Sequence, residues 1–390
     1  MPPVMKHAVS PDICGSKSIL FLGAGASQPL GLPLMDSFMD VLEDGMDRKS
    51  RAILQGMYEM RGKSRDLEVL FDTLVHYDMV YDYIRSDRNW SERVRPSDAI
   101  VNLIAKAGEI RRLAEKVVLQ EYSNVRVDEL RRLYQDFVLL FAESNTQRHV
   151  PVFTTNYDLA IETLADVSDH NYGLVDGFTS DNVRRWDPSI FHRYRATSSD
   201  EPTILLFKLH GSCNWRENTE TKEVTKESTA ELVSPDSTFE NALIWPAQTK
   251  SIKKGPYETN YDYLQQCLMQ AEACVVIGFS FRDAVIKGYF VKALNRNDKL
   301  KVALIDPRAQ ALAQDLLEVE PSATIAAPES TIVVRRSDGR LVHGIPSCFE
   351  PDELPSIVKA LLSLDFPLDS HRAAALSKQQ AQMRGTDSEA

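Results

Sequence analysis

The chain has 390 residues, 43% of them hydrophobic and 26% charged, which is enough for one large domain with an insertion or for two domains. Asp and Glu outnumber Lys and Arg by 56 to 45, and the resulting net charge of −11 argues against a general binder of phosphate backbones. No apolar run is long enough to cross a membrane, and the N-terminus lacks the apolar core of a signal peptide. We therefore expect a cytoplasmic protein with no membrane partner and no direct nucleic-acid binding.

The first informative segment is 18–33, where a short apolar run passes through a glycine-rich turn into a predicted helix. Gly23 and Gly25 allow a tight turn and the close approach of a pyrophosphate, and the helix would direct its free N–H groups at the anion. Such a turn can also be simply a place of tight packing. The third glycine of the dinucleotide fingerprint is missing, because Gln28 stands five residues after Gly23.

The segment from about residue 39 to residue 145 is predicted to be helical, because its apolar positions recur at helical spacing. These positions are Ile100, Leu103, Ile104, Ala107, Leu130, Leu133, Phe137, Leu140 and Phe141. Its arginine pairs, Arg111–Arg112 and Arg131–Arg132, have glutamates nearby in the sequence. This favours a solvent-exposed helix face with charges of both signs over a nucleic-acid-binding surface. Such a helical insertion could close over a cofactor cleft or pack against other subunits.

Polar clusters follow three further apolar runs, at 151–158 (PVFTTNYD), 204–215 (ILLFKLHGSCNW) and 274–283 (CVVIGFSFRD). A fourth run, 301–307 (KVALIDP), ends on Asp306, where a carboxylate can accept hydrogen bonds from ribose hydroxyls. Open parallel sheets place ligand groups beyond the carboxyl ends of their strands, so these clusters are candidates for one shared crevice.

Each cluster also has a purely structural interpretation. Asn156 and Asp158 could cap a helix that begins near Leu159, and Ser280 and Asp283 could begin the helix that follows them. A lone histidine such as His210 is most often packed and bonded to backbone. Asp306 before a proline could form a turn.

Four segments, GAGAS at 23–27, TTNYD at 154–158, LHGS at 209–212 and GFSFRD at 278–283, together resemble the SIR2-like domain of the prokaryotic relatives of sirtuins. The resemblance covers roughly 17–40 and 149–310. The pieces VDGF at 175–178 and LIWPAQTK at 243–250 resemble connecting segments of the non-deacetylating branch. The resemblance implies an NAD-binding Rossmann-like fold that cleaves the bond between nicotinamide and ribose.

The resemblance also implies roles for particular residues. Cleavage would depend on Asn156 and His210, with Asp158 as a supporting catalytic residue. From the residue types and their positions at strand ends, we expect NAD, as substrate, to be held by Gly23, Ala24, Gly25, Ser27, Thr155, Gly278, Ser280 and Asp306, with the first four at the pyrophosphate and the last two toward the adenosine.

The chain departs from a sirtuin deacylase in its cysteines. Deacylases of that kind carry a zinc module with two paired-cysteine motifs, and this sequence has no CxxC. Its cysteines are expected to be mostly small buried residues, and they are Cys14, Cys213, Cys267, Cys274 and Cys348. We therefore expect no metal and favour an NAD glycohydrolase over a protein deacylase or ADP-ribosyltransferase. A scaffold that senses NAD or ADP-ribose without turnover is the alternative from another class.

The resemblance further implies a role in antiphage defence, in which depletion of NAD arrests the infected cell. Because unchecked hydrolysis would kill the host, activity must be gated. Relatives commonly self-assemble or work with a second protein, including HerA-like ATPases. We therefore expect a homo-oligomer and consider a HerA-like ATPase partner.

The predicted fold class is α/β, a Rossmann-like parallel sheet with a large helical insertion. The expected division is an N-terminal arm at 1–16, the SIR2-like domain at 17–40 and 149–315, the insertion at 41–148, a C-terminal hairpin and helix at 316–368, and a polar tail at 369–390. The hairpin is predicted from two strand-like runs joined by Ser337-Asp338-Gly339, and the helix is predicted at 351–364.

Overall fold

A computed structural model of the chain describes residues 11–60, 70, 73, 74, 76, 98–145, 147–194, 201–228, 230, 237–244, 255–318, 324–326, 332–335 and 341–345. The predicted helix at 351–364, the polar tail, Cys348 and the turn 336–340 lie outside these residues.

Nine of the described strands form one sheet in the order β10-β11-β12-β9-β8-β1-β2-β4-β3. From β12 to β3 every strand is parallel to its neighbour, whereas β10, β11 and β12 pair antiparallel. The strands are β1 Ser18–Leu22, β2 His149–Thr154, β3 Gly173–Val175, β4 Thr203–Lys208, β8 Ala273–Ile277, β9 Lys301–Ile305, β10 Thr324–Ala326, β11 Ile332–Arg335 and β12 Leu341–Ile345. The predicted α/β fold with a parallel sheet is confirmed.

The central strands are apolar along their length because helices cover both faces of the sheet. All five residues of β1 are buried. Leu20 and Leu22 join the core on one face, and Ile19 and Phe21 join the core on the other, as expected when side chains alternate along a strand. The sheet therefore separates two hydrophobic cores.

The helices of the first half pack on the Leu20 face. The exception is the short helix α1 Pro11–Cys14, whose Ile13 and Cys14 join the core on the other face. The helices on the Leu20 face are α2 Ala24–Ser27, α3 Met35–Asp44, α4 Arg48–Met60, α5 Asp98–Tyr122 and α6 Val127–Ser144. Ala107 on α5 and Leu130, Leu133, Phe137 and Phe141 on α6 are buried, as their spacing predicts. The side chains of Ile100, Leu103 and Ile104 are outside the described set. Arginines pair with glutamates along the helices, at Arg111–Glu115 and Arg132–Glu129.

The second half supplies the helices of the other face and a small separate sheet. The helices are α7 Ala160–Val167, α8 Ser189–Arg193, α9 Gly255–Gln270, α10 Ala284–Arg296 and α11 Ala309–Leu317. The exception is α7, which packs on the Leu20 face with the helices of the first half. The small antiparallel sheet has the order β6-β5-β7, with β5 Gly211–Asn218, β6 Val224–Lys226 and β7 Phe239–Leu243. The sequence patterns did not predict this sheet.

The two predicted C-terminal strands pair antiparallel as β11 and β12, and β12 also pairs with β9 of the main sheet. The hairpin thus extends the sheet at one edge. The division of the chain into domains stays a prediction. Among the described residues, no helix has the length and apolar character needed to cross a membrane.

Candidate functional site

The motif loops lie at one edge of the sheet, where β1 sits between β8 and β2. The chain leaves β1 toward β2 and β4 on one side and later returns to β8 and β9 on the other. A reversal of strand order of this kind opens a crevice at the carboxyl ends of the strands. The sequence motifs at 23–27, 154–158, 209–212 and 278–283 all follow strands that end at this crevice.

The glycine-rich loop after β1 is packed directly against the loop after β8. Gly23 N donates to Ile277 O at 2.9 Å, and Gly25 N donates to Gly278 O at 3.0 Å. A Cβ on Gly23 would lie 2.5 Å from Gly278 O, and one on Gly25 would lie 2.7 Å from Gly278 Cα. Packing against Gly278 is therefore enough to require glycine at both positions. The N–H groups of Gly23 and Gly25 are already hydrogen-bonded to protein carbonyls. Ala24 and Gly25 are half-buried and form the accessible part of the loop.

Asn156 follows β2 and is fixed by the glycine-rich loop. Its Nδ2 donates to Gly23 O at 2.9 Å and to Ser27 Oγ at 2.8 Å. Because a carbonyl oxygen only accepts hydrogen bonds, the nitrogen of the amide must face Gly23. Among the described residues no donor bonds to Asn156 Oδ1, so the oxygen is the atom that this side chain has left for a ligand.

Asp158 serves both the loop and the helix that follows it. Oδ2 accepts from Ser27 Oγ at 2.7 Å, and Oδ1 accepts from Ala160 N at 3.0 Å in the first turn of α7. Burial raises the pKa of the Asp158 carboxyl, although the charge of Lys208 lowers it. Asp158, Ser27 and Asn156 thus form one hydrogen-bonded chain that ends on the glycine-rich loop.

A buried ion pair outside the sequence motifs, Lys208 with Glu162, is hydrogen-bonded to the backbone of Asp158. Lys208, the last residue of β4, donates to Glu162 Oε1 at 3.1 Å, to Ser212 Oγ at 2.8 Å and to the carbonyl oxygen of Asp158. Burial opposes the ionisation of Glu162, but the charges of Lys208 and Lys226 help to lower its pKa below the ordinary value. A lysine at the end of the apolar run TILLFK was the signal in the sequence that could have indicated a buried partner.

The ion pair borders a cavity of about 10 Å³, the scale of one water molecule. Glu162 Oε2 is buried there without a hydrogen-bond partner among the described residues. The cavity is lined by Leu22, Ser27, Leu30, Tyr134, Thr154, Asn156, Asp158, Ala160, Ile161, Glu162 and Lys208. The cavity is too small for a nucleotide.

His210 follows β4 and belongs to a second cluster. Its Nε2 lies 3.0 Å from Tyr261 Oη and 3.2 Å from Asp283 Oδ2, and all three side chains are buried. Gly211 has a φ of +86°, and a Cβ there would lie 2.1 Å from Ala242 O, so the turn after His210 requires glycine. Tyr261 lies on α9, outside every motif, and no sequence signal pointed to it.

Asp283 is both the cap of a helix and a neighbour of His210. Its Oδ1 accepts from Val285 N at 3.0 Å and from Ile286 N at 3.2 Å, so it caps α10. Its Oδ2 faces His210. The predicted helix start is confirmed, and the same carboxylate is also part of the site.

The remaining predicted residues line the rim of the crevice or stabilise its turns. Thr155 N donates to Leu22 O at 3.2 Å, and Gly278 takes a φ of +61°. Ser280 is half-buried beside Phe281, whose φ of +55° is uncommon for a residue other than glycine. Asp306 is buried and accepts from Arg308 N at 2.8 Å, so it forms the turn after β9.

The two clusters are joined through β4. Leu209 N donates to Thr154 O at 2.8 Å, and the Lys208 ammonium bonds to the carbonyl of Asp158. The predicted residues Asn156, Asp158, Ser27 and Gly23 come together in one network. His210 sits in the other with Asp283, and Ser280 and Asp306 are in neither of these two hydrogen-bonded groups.

Of the described cysteines, Cys213 lies next to the Lys208 cluster, and its N donates to Tyr157 O at 2.9 Å. Cys14, Cys213, Cys267 and Cys274 are free and buried, and Cys14 Sγ lies 3.4 Å from Cys267 Sγ. Burial raises the pKa of the Cys213 thiol to about 12. Within the described ranges, no group of three or more His, Cys, Asp or Glu side chains is arranged to hold a metal ion.

Comparison with known proteins identifies one domain. Residues 150–323 match the model of the SIR2-like domain, a range that contains three of the four motifs and follows the glycine-rich loop. A crystal structure of a Sir2 homologue in complex with NAD is 14% identical over 76% of this chain and 80% of its own, with a TM-score of 0.39. A Sir2 homologue variant with ADP-ribose is 11% identical over 94% and 96%, with a TM-score of 0.41. No curated protein matches the sequence.

Proposed function

We propose that the chain binds NAD in the crevice and hydrolyses it to nicotinamide and ADP-ribose. The observation that carries this proposal is the Asn156 side chain, whose nitrogen is held by Gly23 and Ser27 so that its oxygen is left for a ligand. This geometry occurs at the strand-order reversal of a parallel sheet, and Asn156 lies within the range that matches the SIR2-like domain.

The order of the strands supports an extended dinucleotide pose. Along the sheet the loops follow in the order β9, β8, β1, β2 and β4. We assign Asp306 and Ser280, after β9 and β8, to the adenosine side, together with Gly278. The loop of Gly23, Ala24, Gly25 and Ser27 after β1 would hold the pyrophosphate, with the backbone N–H of half-buried Ala24 as the main donor, because those of Gly23 and Gly25 already bond to the β8 side. Thr155, Asn156 and His210 would then meet the nicotinamide ribose.

The chemistry needs positioning more than a strong acid. The bond between ribose C1′ and the nicotinamide nitrogen breaks, the electron pair leaves with neutral nicotinamide, and positive charge develops on the ribose. Water then attacks C1′ and loses a proton. In this proposal Asn156 Oδ1 orients the water or the ribose, and His210 accepts the proton. Asp158 holds Ser27 and thereby Asn156.

The proposed biological role is NAD depletion in antiphage defence, which the resemblance of the four motifs implies. Gating by assembly follows from the toxicity of such an activity, and a HerA-like ATPase is a candidate partner. Light scattering combined with NAD hydrolysis over a range of protein concentrations tests the gating. Specific activity is expected to rise with the oligomer fraction, and a monomer that is fully active at every concentration would rule it out.

The function is tested by incubating the purified chain with NAD and measuring free nicotinamide and ADP-ribose. We expect both products in equal amounts, and near-complete loss of both in Asn156→Ala. Asn124→Ala is the matched control, because Asn124 is an exposed residue that bonds only its own helix end. Release of nicotinamide only when an acyl-lysine peptide is added would indicate a deacylase. Binding of NAD with no release would indicate a sensing scaffold.

A further inference from the structure

We propose that Asp283 is a positioning residue that orients His210 and fixes which of its ring nitrogens carries the proton. The inference rests on the proposed function, in which His210 accepts a proton during NAD cleavage. Asp283 lies in the loop after β8, 73 residues from His210 in the sequence. The proposal therefore gives this loop a role in proton transfer at the nicotinamide end of NAD.

The geometry gives Asp283 two separate tasks for its two oxygens. Oδ1 accepts from the N–H groups of Val285 and Ile286, and Oδ2 lies 3.2 Å from His210 Nε2. Because Oδ1 is committed to the start of α10, the carboxylate cannot rotate without losing the cap. Oδ2 is therefore presented to His210 in one direction.

The buried carboxylate selects one tautomer of the ring. An ionised carboxylate only accepts hydrogen bonds, so the nitrogen that faces it must carry a proton. Nε2 faces Oδ2, which leaves the lone pair of the neutral ring on Nδ1. When the ring takes a second proton, its positive charge lies beside a negative group in a buried cluster, which favours the protonated form. Asp283 thus makes His210 a stronger base.

Nε2 of His210 is bordered by the Tyr261 hydroxyl and the Asp283 carboxylate. Tyr261 Oη lies 3.0 Å from Nε2 and 3.4 Å from Asp283 Oδ2, and burial raises the pKa of Tyr261, so it is a neutral partner. Tyr261 also interacts electrostatically with Tyr157 and Tyr289, and Tyr289 interacts in turn with Asp262 and Asp283. Asp283 contributes the carboxylate oxygen that lies within hydrogen-bond distance of Nε2.

Asp283→Asn separates the effect on His210 from the effect on the helix. Asn caps helices about as well as Asp, so α10 keeps its start. To do so the amide oxygen must face Val285 and Ile286, which turns the NH₂ group toward His210. Nε2 then has to accept a hydrogen bond, and the ring proton moves to Nδ1.

The test uses the full chain with ¹⁵N-labelled histidine, without NAD, and His210→Ala to assign the resonances. In the wild type we expect His210 to be protonated on Nε2 in its neutral form. In Asp283→Asn we expect protonation on Nδ1 and titration of the ring at lower pH. For NAD cleavage kcat is expected to fall roughly 100-fold or more with little change in KM, since the wrong tautomer disables a general base.

Asp47→Asn is the matched control, because Asp47 also accepts from a backbone N–H at a helix start, that of Ser50, and is exposed. It should leave the His210 spectrum and the activity unchanged. A wild-type ring protonated on Nδ1, or an Asp283→Asn variant with unchanged tautomer and activity, would overturn the proposal. Since the spectra need no turnover, a chain that lacks NADase activity but shows the tautomer change would refute the proposed function and leave the pairing of Asp283 with His210 intact.

Discussion

Asn156 Nδ2 donates a hydrogen bond of 2.9 Å to Gly23 O, and this bond joins the loop after β2 to the loop after β1. The same loop is held from its other side by Gly278, whose carbonyl accepts from Gly25 N at 3.0 Å. Three strand ends are thereby fixed relative to one another before any ligand binds. Because the groups of the site are already in place, binding energy is not lost in ordering them and can stabilise the transition state.

Gly25→Ala is expected to destabilise the fold. The new Cβ would lie 2.7 Å from the Cα of Gly278, which is backbone and cannot move aside cheaply. The free energy of unfolding should fall by about 2 kcal/mol or more, measured by urea denaturation. Gly56→Ala is the control, because Gly56 lies within α4 and a Cβ there would meet nothing within 4 Å. It should stabilise the protein by about 0.5–1 kcal/mol. Equal stability of the two variants would contradict the packing described for the loop.

Ser27→Ala is expected to lower kcat for NAD cleavage by roughly 10- to 100-fold, because Ser27 Oγ links Asp158 to Asn156 and supporting residues of this kind carry effects of that size. Steady-state kinetics check this, with circular dichroism to show that the fold is retained. Ser27→Thr keeps the hydroxyl and should recover part of the rate. Ser123→Ala, at an exposed helix end, should have no effect. If Ser27→Ala keeps full activity, the link from Asp158 to Asn156 has no role in the reaction.

Lys208→Met is expected to be strongly destabilising, by about 3–5 kcal/mol, because it leaves Glu162 buried without its cation. Denaturant unfolding measures the loss. The double variant Lys208→Met with Glu162→Gln removes both charges and should recover a large part of the stability. A double variant that is no more stable than Lys208→Met would show that Glu162 does not depend on the ion pair.

The stability of the wild type relative to Glu162→Gln should depend on pH. The folded-state pKa of Glu162 is lowered, so its stabilising contribution is complete above the ordinary value of 4.5 and is lost as the pH falls through the folded-state pKa. The difference in unfolding free energy should therefore be constant near neutral pH and shrink below 4.5. Glu129→Gln, which removes an exposed ion pair with Arg132, serves as the control and should change stability by less than about 1 kcal/mol. A difference that grows as the pH falls would contradict the assignment.

The sequence was sufficient to predict the parts of the site that depend on local pattern. The apolar run of β1, the polar residues after β2, β4 and β8, and the parallel sheet that brings them to one edge all follow from strand periodicity and strand-end placement. The helix start at Asp283 followed from its type and position. These features are encoded within a few residues of one another.

Contacts between distant segments could not be predicted in the same way. Tyr261 reaches His210 from α9, and Glu162 reaches Lys208 from α7, although nothing in the local pattern of either helix marks the residue. The glycine-rich loop was interpreted as a phosphate site, yet its glycines are also required by the backbone of Gly278, a partner more than 250 residues away. The antiparallel strands β5–β7 were missed because β5 continues directly from the His210 turn.

In hydrolysis water accepts the ADP-ribosyl group, and turnover in ¹⁸O-labelled water reveals this transfer. The purified chain is incubated with NAD, and the products are analysed by mass spectrometry. We predict one ¹⁸O atom in ADP-ribose for each nicotinamide released, with neither product formed by Asn156→Ala or His210→Ala. Nicotinamide release without labelled ADP-ribose would show that water is not the acceptor, and wild-type turnover in either folded variant would show that cleavage does not depend on Asn156 or His210.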